Sequence, residues 1–407
     1  MPVSFRLKRF TNVAILKRID FPLLLEFLES DPRFRPFLEA RSMAWERDKS
    51  RFDYSQFARI LMSPDVGTPE ELLDALYFVD NLSDPDCYDR ILQECQEAGI
   101  DLGGKDMSPE DLAIRAWLAD RNILERVHAE QYRARPQRFE SYFAGRSDRP
   151  DLAYPSGEVL ASLEADLNEW FDFKQKGRGA KVFVFSREDG VWFLVRHGQR
   201  IKREGTVEAD DSSGSVFYRP EKFDVMIYYP DKGELAINTE TKGERRAYCR
   251  YFGKHLFGDI EFFRFDDPIS KYTLAPLISL GRDALACGDV QGLRQVLLHE
   301  LHIAHNSDQD DIEVRKASED VFRALENQKR SLQNEDASIR LVKAKFRVTF
   351  MDGKERIVTI EPPNIASFDR ESDNAIIHEW MSLRGFIMTP DSQEQGHADT
   401  GAVLAVR

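Results

Sequence analysis

Cysteine is scarce. The 407 residues hold four, Cys87, Cys95, Cys249 and Cys287, at spacings that fit neither a disulfide framework nor a paired metal motif. No apolar run reaches the length of a bilayer span. The N-terminus, MPVSFRLKRFTNVAILKRIDF, is basic but lacks the continuous apolar core of a signal peptide. There is no Gly-x-x-x-x-Gly-Lys phosphate loop, no Gly-x-Gly-x-x-Gly after a strand and no Gly-x-Ser-x-Gly elbow, which sets aside the commonest nucleotide-binding and serine-hydrolase frameworks. Basic residues are in deficit, 57 against 71 acidic for a formal charge of −14. A protein that coats nucleic acid generally is therefore not expected, although a local basic patch on an acidic body is compatible with this balance. These absences predict a cytoplasmic protein with no membrane partner.

What is present predicts an α+β protein, a helical N-terminal domain followed by mixed sheet-and-helix central and C-terminal domains. At 42% hydrophobic residues the chain can build several cores. Residues 1–150 read as helical. Thr68-Pro69-Glu70-Glu71 has the form of a capping box with proline at the first helical position, and Ser108-Pro109-Glu110-Asp111 starts a second helix through LAIRAWLADRNILERVHAEQYRA. Shorter helices are expected near 20–30 and 53–62. The charged stretch Arg146–Pro155 reads as a linker. Within 156–265, Ser156 caps a helix with Leu160, Leu163, Leu167, Trp170 and Phe171 on its buried side. Strands follow at Lys181–Phe185 and Val191–Arg196 around the turn Arg187–Gly190, with another near Ser215–Arg219. The polar segment Glu208–Gly214 reads as a mobile loop. Within 266–388, Arg340–Phe350 and Glu355–Glu361 form a hairpin around Met351–Lys354, and a helix over Asp373–Arg384 ends at Gly385. From residue 389 the tail is polar and expected to be disordered.

The segment Phe223–Lys242, FDVMIYYPDKGELAINTETK, carries the chemistry. Phe223, Val225, Ile227 and Tyr229 alternate with Asp224, Met226 and Tyr228. After a turn at Asp231-Lys232-Gly233, in which Gly233 takes the left-handed position, Leu235 and Ile237 alternate with Ala236, Asn238, Glu240 and Lys242. Pairing Ile227 with Ile237 places Asp224 opposite Glu240 and Lys242 two residues along the same face. A one-residue slip separates the two acids. The following stretch, Glu244–Gly258, reads as a helix with Arg246, Arg250 and Lys254 at i, i+4 and i+8, a basic stripe able to grip a phosphate backbone.

Asp224 followed by Glu240-Thr241-Lys242 resembles the active-site signature of the PD-(D/E)xK nuclease superfamily over about residues 156–265. The resemblance implies that Asp224 and Glu240, with the Thr241 carbonyl, bind Mg²⁺ or Mn²⁺. It implies that Lys242 orients the attacking water and that Arg246, Arg250 and Lys254 contact DNA or RNA. The chemistry is coherent, since hard carboxylate oxygens suit Mg²⁺ and a metal with a lysine stabilises phosphorane charge. An extra acid on the preceding helix is common in the superfamily, and Glu158, Glu164 and Glu169 are all placed to supply it. Bacterial chains of this kind often serve restriction or antiphage defence, so the resemblance implies a nuclease-like hydrolase in that setting.

Two other readings stand beside it. Acids and lysines alternating on a strand pair also make an ordinary solvated sheet face. The chain is then a non-catalytic adaptor of a larger complex, meeting a protein partner or a second copy through its N- or C-terminal region. The segment His299-Glu300-Leu301-His302-Ile303-Ala304-His305 places Ile303 where a zincin helix needs histidine, and as a strand it turns His302 away from His299 and His305. No metalloprotease is expected.

Overall fold

The computed structural model describes residues 7–62, 64, 67–103, 107–133, 137–145, 152, 154–187, 190–207, 212–305, 311–334, 339–370 and 372–388. Most of the expected linker, residues 208–211 of the expected loop, and the tail from 389 lie outside them. The chain forms two compact units, residues 1–131 and 132–407. No helix among the described residues is long and apolar enough to cross a membrane.

The first unit is helical, from Lys8–Thr11 to Arg121–Glu130. Its core gathers Phe10, Phe27, Phe57, Leu76, Leu112 and Leu124. Ser108 caps as expected, accepting from the Asp111 amide. The helix expected after it is instead two, Pro109–Ala119 and Arg121–Glu130, because Asp120 ends the first and caps the second through the Asn122 amide. The other expected capping box starts one residue late: the helix runs Glu70–Leu82 with Pro69 at its N-cap.

The second unit is built on one antiparallel ten-stranded sheet. Its strands are β1 (Arg138–Phe143), β2 (Lys181–Arg187), β3 (Gly190–Gly198), β6 (Glu221–Tyr229), β7 (Glu234–Asn238), β8 (Leu293–His305), β9 (Ile312–Lys316), β10 (Ile339–Phe350), β11 (Glu355–Glu361) and β12 (Ile365–Ser367). A separate ribbon pairs β4 (Lys202–Val207) with β5 (Ser213–Tyr218). The sheet order is β2-β3-β6-β7-β1-β12-β11-β10-β8-β9. β1 lies in the stretch expected to be helical, and it joins the central and C-terminal segments by pairing with both β7 and β12. Each half keeps its own core. In the first, helices Gly157–Phe173 and Lys242–Phe257 cover Phe193, Val195, Met226 and Tyr228. In the second, helix Asn374–Leu383 seats Trp380 against Phe346 and Phe386.

Turn chemistry follows expectation. Pro230–Lys232 makes a 3₁₀ turn closed by Gly233 at φ 57°, ψ 35°, a conformation glycine adopts without cost. Gly353 and Gly385 likewise take positive φ at the second hairpin and after the last helix. The register of the β6–β7 hairpin differs from expectation by one residue: Ile227 pairs with Ala236 and Met226 with Ile237. Burial cannot fix parity here, because Val225, Met226, Ile227 and Tyr228 are all fully buried. A strand covered on both faces loses the one-sided pattern on which the pairing argument depends.

Candidate functional site

The ladder between β6 and β7 ends at Val225 and Asn238. Glu240 lies beyond it, in the turn into the next helix. Thr241 is that helix's N-cap: its hydroxyl accepts from the Glu244 amide at 3.2 Å, and the Glu244 carboxylate accepts from the Thr241 amide at 3.0 Å. The Glu-Thr-Lys triplet is therefore the lip of a capping box, with Thr241 and Lys242 both exposed.

Asp224 is fully buried on the helix-covered face. Its Oδ2 accepts from the Tyr248 hydroxyl at 2.7 Å and lies 3.0 Å from His197 Nε2. Its Oδ1 lies 2.9 Å from Lys222 Nζ. Lys222 is two residues before Asp224 on the same face of β6, and pairs across to His197 on β3. The same ammonium is 3.7 Å from Glu240 Oε2 and 3.9 Å from Glu244 Oε2. Glu244, fully buried, also takes Lys176 as an ion-pair partner and accepts from the Thr239 hydroxyl at 2.8 Å. Phe171 stacks on the His197 ring at 4.1 Å, and His197 Nδ1 faces the Gly198 carbonyl at 2.8 Å.

Electrostatically this is a closed cluster. Burial pushes the Asp224 carboxyl up, but the His197 hydrogen bond, the Lys222 ammonium and the Tyr248 hydroxyl outweigh it and hold the group below its ordinary range. Burial and the Asp224 charge raise Glu244, yet Lys176, Lys222 and Thr239 bring it below the ordinary value. Lys222, opposed by burial, is held above its ordinary value by Asp224, Glu244 and Glu240. Burial and Asp224 push the Tyr248 hydroxyl far up, so it stays a donor.

The expected pair of metal ligands is thus split. Asp224 is buried, whereas the Glu240 side chain is 72% exposed, and Lys222 stands between them. Lys242 is exposed at the first turn of its helix. In the basic stripe, Arg246 is paired with Asp266 and Lys254 with Asp166 at 2.6 Å, while Arg250 is exposed. Among the three candidate extra acids, Glu164 accepts from the Val182 amide at 2.8 Å and fastens its helix to β2. Glu158 and Glu169 do not enter the cluster. The group that converges is one that motif reading passed over: His197, Asp224 and Glu244 each offer a donor atom within 4.8 Å of the others. Two signals pointed there, the Thr-x-x-Glu spacing of Thr241 and Glu244, and Lys222 at the same-face position from Asp224.

His197, Asp224 and Glu244 are a donor set of suitable type and spacing for one divalent cation. They are also already spoken for. Asp224, Glu244 and Glu240 face the Lys222 and Lys176 ammonium groups and the His197 imidazole, so the cluster already holds internal counter-ions. A cation at this place has to displace Lys222. No protein-family model matches this chain, and no curated protein matches its sequence.

Proposed function

We propose that this chain is a non-catalytic interaction module whose ribbon β4–β5 engages a protein partner. The observation that carries this reading is the ribbon itself. Val207 and Phe217 are 81% and 66% exposed, and Ile201, Val216 and Tyr218 are exposed beside them. An isolated two-stranded ribbon is marginal in water, and apolar side chains left exposed on both of its faces, Phe217 opposite Arg203 and Val216 opposite Glu204, suit a surface that a partner covers. Among the described residues of the helical unit only Met62 and Leu92 are large, apolar and exposed. On this reading the Asp224 cluster braces helix Lys242–Phe257 against the sheet.

A second reading, a metal-dependent nuclease-like enzyme, keeps one observation in its favour. Three carboxylates, Asp224, Glu240 and Glu244, meet Lys222 at the open end of a hairpin, with Glu240 exposed, and the helix that follows begins with the exposed Lys242. Here Asp224 and Glu244, with His197, would hold Mg²⁺ or Mn²⁺ after Lys222 swings out, and the metal would supply Lewis-acid stabilisation of the phosphoryl group.

Two measurements separate them. A photo-crosslinking residue at Phe217 is expected to trap one discrete protein in the source cells. The same residue at the exposed Met351 is expected to trap none. Incubation with plasmid, linear DNA and RNA in Mg²⁺ or Mn²⁺ is expected to give no cleavage. Wild-type cleavage abolished by Asp224→Asn and Glu244→Gln would overturn the adaptor reading in favour of the nuclease.

A further inference from the structure

At the other end of the same hairpin lies a cavity of about 270 Å³, lined by Tyr229, Lys232, Lys271, Arg370, Asn374, Ala375, His378 and Glu379. It sits at the low end of small-molecule pockets, which run from about 300 Å³. Its floor is a buried ion pair. Glu234, fully buried on β7, pairs with Lys271 and accepts from the Ser141 hydroxyl at 2.6 Å. The Lys271 backbone is itself held by the Asn364 side chain at 2.9 Å.

Above that pair the cations outnumber their partners. Arg370 is only 5% exposed, and its Nε and Nη2 have no hydrogen-bond partner among the described residues. Its guanidinium is clamped in place between the rings of Phe139 and Phe368, at 4.6 Å and 4.4 Å. Buried donors are normally satisfied, and leaving them empty costs about 1–3 kcal/mol, more for a charged group. Lys232, on the hairpin turn, donates to His378 Nε2 at 3.1 Å, which fixes the imidazole as an acceptor. Among the described residues the only carboxylate lining the cavity is Glu379, which is exposed. The helix Asn374–Leu383 presents its first turn to the cavity, and the orphan amides of a helix start favour an anion.

We propose that this cavity binds a small phosphomonoester, its phosphate taken by Arg370 and Lys232 and its organic body lying along Tyr229. Phosphate dianion matches the planar donor fork of an arginine. The cavity is also larger than the phosphate alone requires. Free orthophosphate offers the same charge and oxygens, so the two sources must be told apart by experiment. The site is separate from the Asp224 cluster. Five β6 residues, Val225–Tyr229, divide Asp224 from the turn at Pro230, six steps or about 20 Å at about 3.3 Å per residue.

The test is isothermal titration of the whole chain with ribose 5-phosphate and with orthophosphate, at matched chloride ionic strength, on wild type, Lys232→Met and Arg370→Met. Lys232 is at the rim, so Lys232→Met keeps the fold even if Arg370→Met does not. Saturable binding of the sugar phosphate, at least tenfold weaker in Lys232→Met, is the expected result. Equal binding of orthophosphate supports the phosphate site and reassigns it to the free ion. Absence of saturable binding in wild type overturns the proposal, and so does binding unchanged in both variants.

Discussion

The two ends of the β6–β7 hairpin make a controlled comparison. Each end has a fully buried carboxylate, Asp224 at one and Glu234 at the other, and each carboxylate meets a lysine ammonium. Beyond that first pair they diverge. Around Asp224 each charge meets an opposite one: Tyr248 and His197 reach one oxygen, the Lys222 ammonium forms ion pairs with Asp224 and Glu244 without a well-directed hydrogen bond to Oδ1, and Lys176 pairs with Glu244. Around Glu234 the cations continue without matching acids, ending in a buried guanidinium with idle donors. Charge balance, more than the presence of buried ionisable groups, separates a brace from a binding site. A balanced cluster repays its desolvation internally, whereas an unbalanced one keeps a standing affinity for the missing ion.

The largest effect is expected where the cluster is most closed. Asp224→Ala strands the Lys222 ammonium, His197 and the Tyr248 hydroxyl in a dry interior. Removing one member of a buried ion pair typically costs about 3–5 kcal/mol. Urea unfolding followed by tryptophan fluorescence reads the loss, with Trp170 packed on the Phe171 ring that stacks on His197. A cost under about 1 kcal/mol would show that the cluster is not the brace described, and that Asp224 is held for some other purpose.

Much of this architecture was legible in the sequence, for local reasons. The Ser108 and Ser156 caps, the Gly233 turn, the β10–β11 hairpin and the Gly385 stop all rest on backbone chemistry that neighbouring residues dictate. The misreadings have one physical source, which is that long-range cover changes what a local pattern means. β1 is six residues, RFESYF, made a strand by β7 and β12, neither of which is near it in sequence. The β6–β7 register slipped because both faces of β6 are buried. Glu240-Thr241-Lys242 fits a strand motif and also the edge of a Thr-x-x-Glu cap, and the cap prevails because it satisfies the orphan amides of a 16-residue helix. Asp224 was found by alternation. His197, Lys222 and Lys176 were not, since their meeting depends on the β3–β6 pairing and on the end of helix Gly157–Phe173. The Arg370 cavity, assembled from three distant segments, left no local trace.

A mid-sized effect tests the open end through pH. Burial, and then the charges of Lys232 and Lys271, push His378 down from 6.5 to about 4. A histidine depressed in the folded state is protonated first in the unfolded chain. The unfolded state therefore binds more protons as pH falls below the ordinary 6.5, and stability declines until the folded group also titrates near 4. The carboxylates act in the same direction but lower, since Asp224, Glu244 and Glu234 are all held below their ordinary values. Their contribution is present above the usual carboxyl range and is lost as pH falls through it. Between about pH 7 and pH 4.5, wild type should lose about 1–3 kcal/mol more than His378→Asn. Denaturation midpoints across that range supply the difference. Parallel curves for the two proteins would mean that the cavity does not carry the excess positive charge assigned to it.

The smallest effects are expected at the residues the nuclease signature made most prominent. Glu240 is a solvated side chain 3.7 Å from Lys222, with 72% of its surface exposed, and exposed pairs contribute about 0–1 kcal/mol. Lys242, at the first turn of its helix, is exposed, and a cation there opposes the helix dipole slightly. Glu240→Gln should therefore change stability by less than about 0.5 kcal/mol, and Lys242→Gln should be neutral or marginally stabilising. Side by side with Asp224→Ala, these variants measure how far the cluster reaches toward solvent. A Glu240→Gln cost approaching that of Asp224→Ala would mean that Lys222 needs all three carboxylates. The closed end of the hairpin would then extend to its exposed lip, where a displaced ammonium and an incoming cation compete for the same acids.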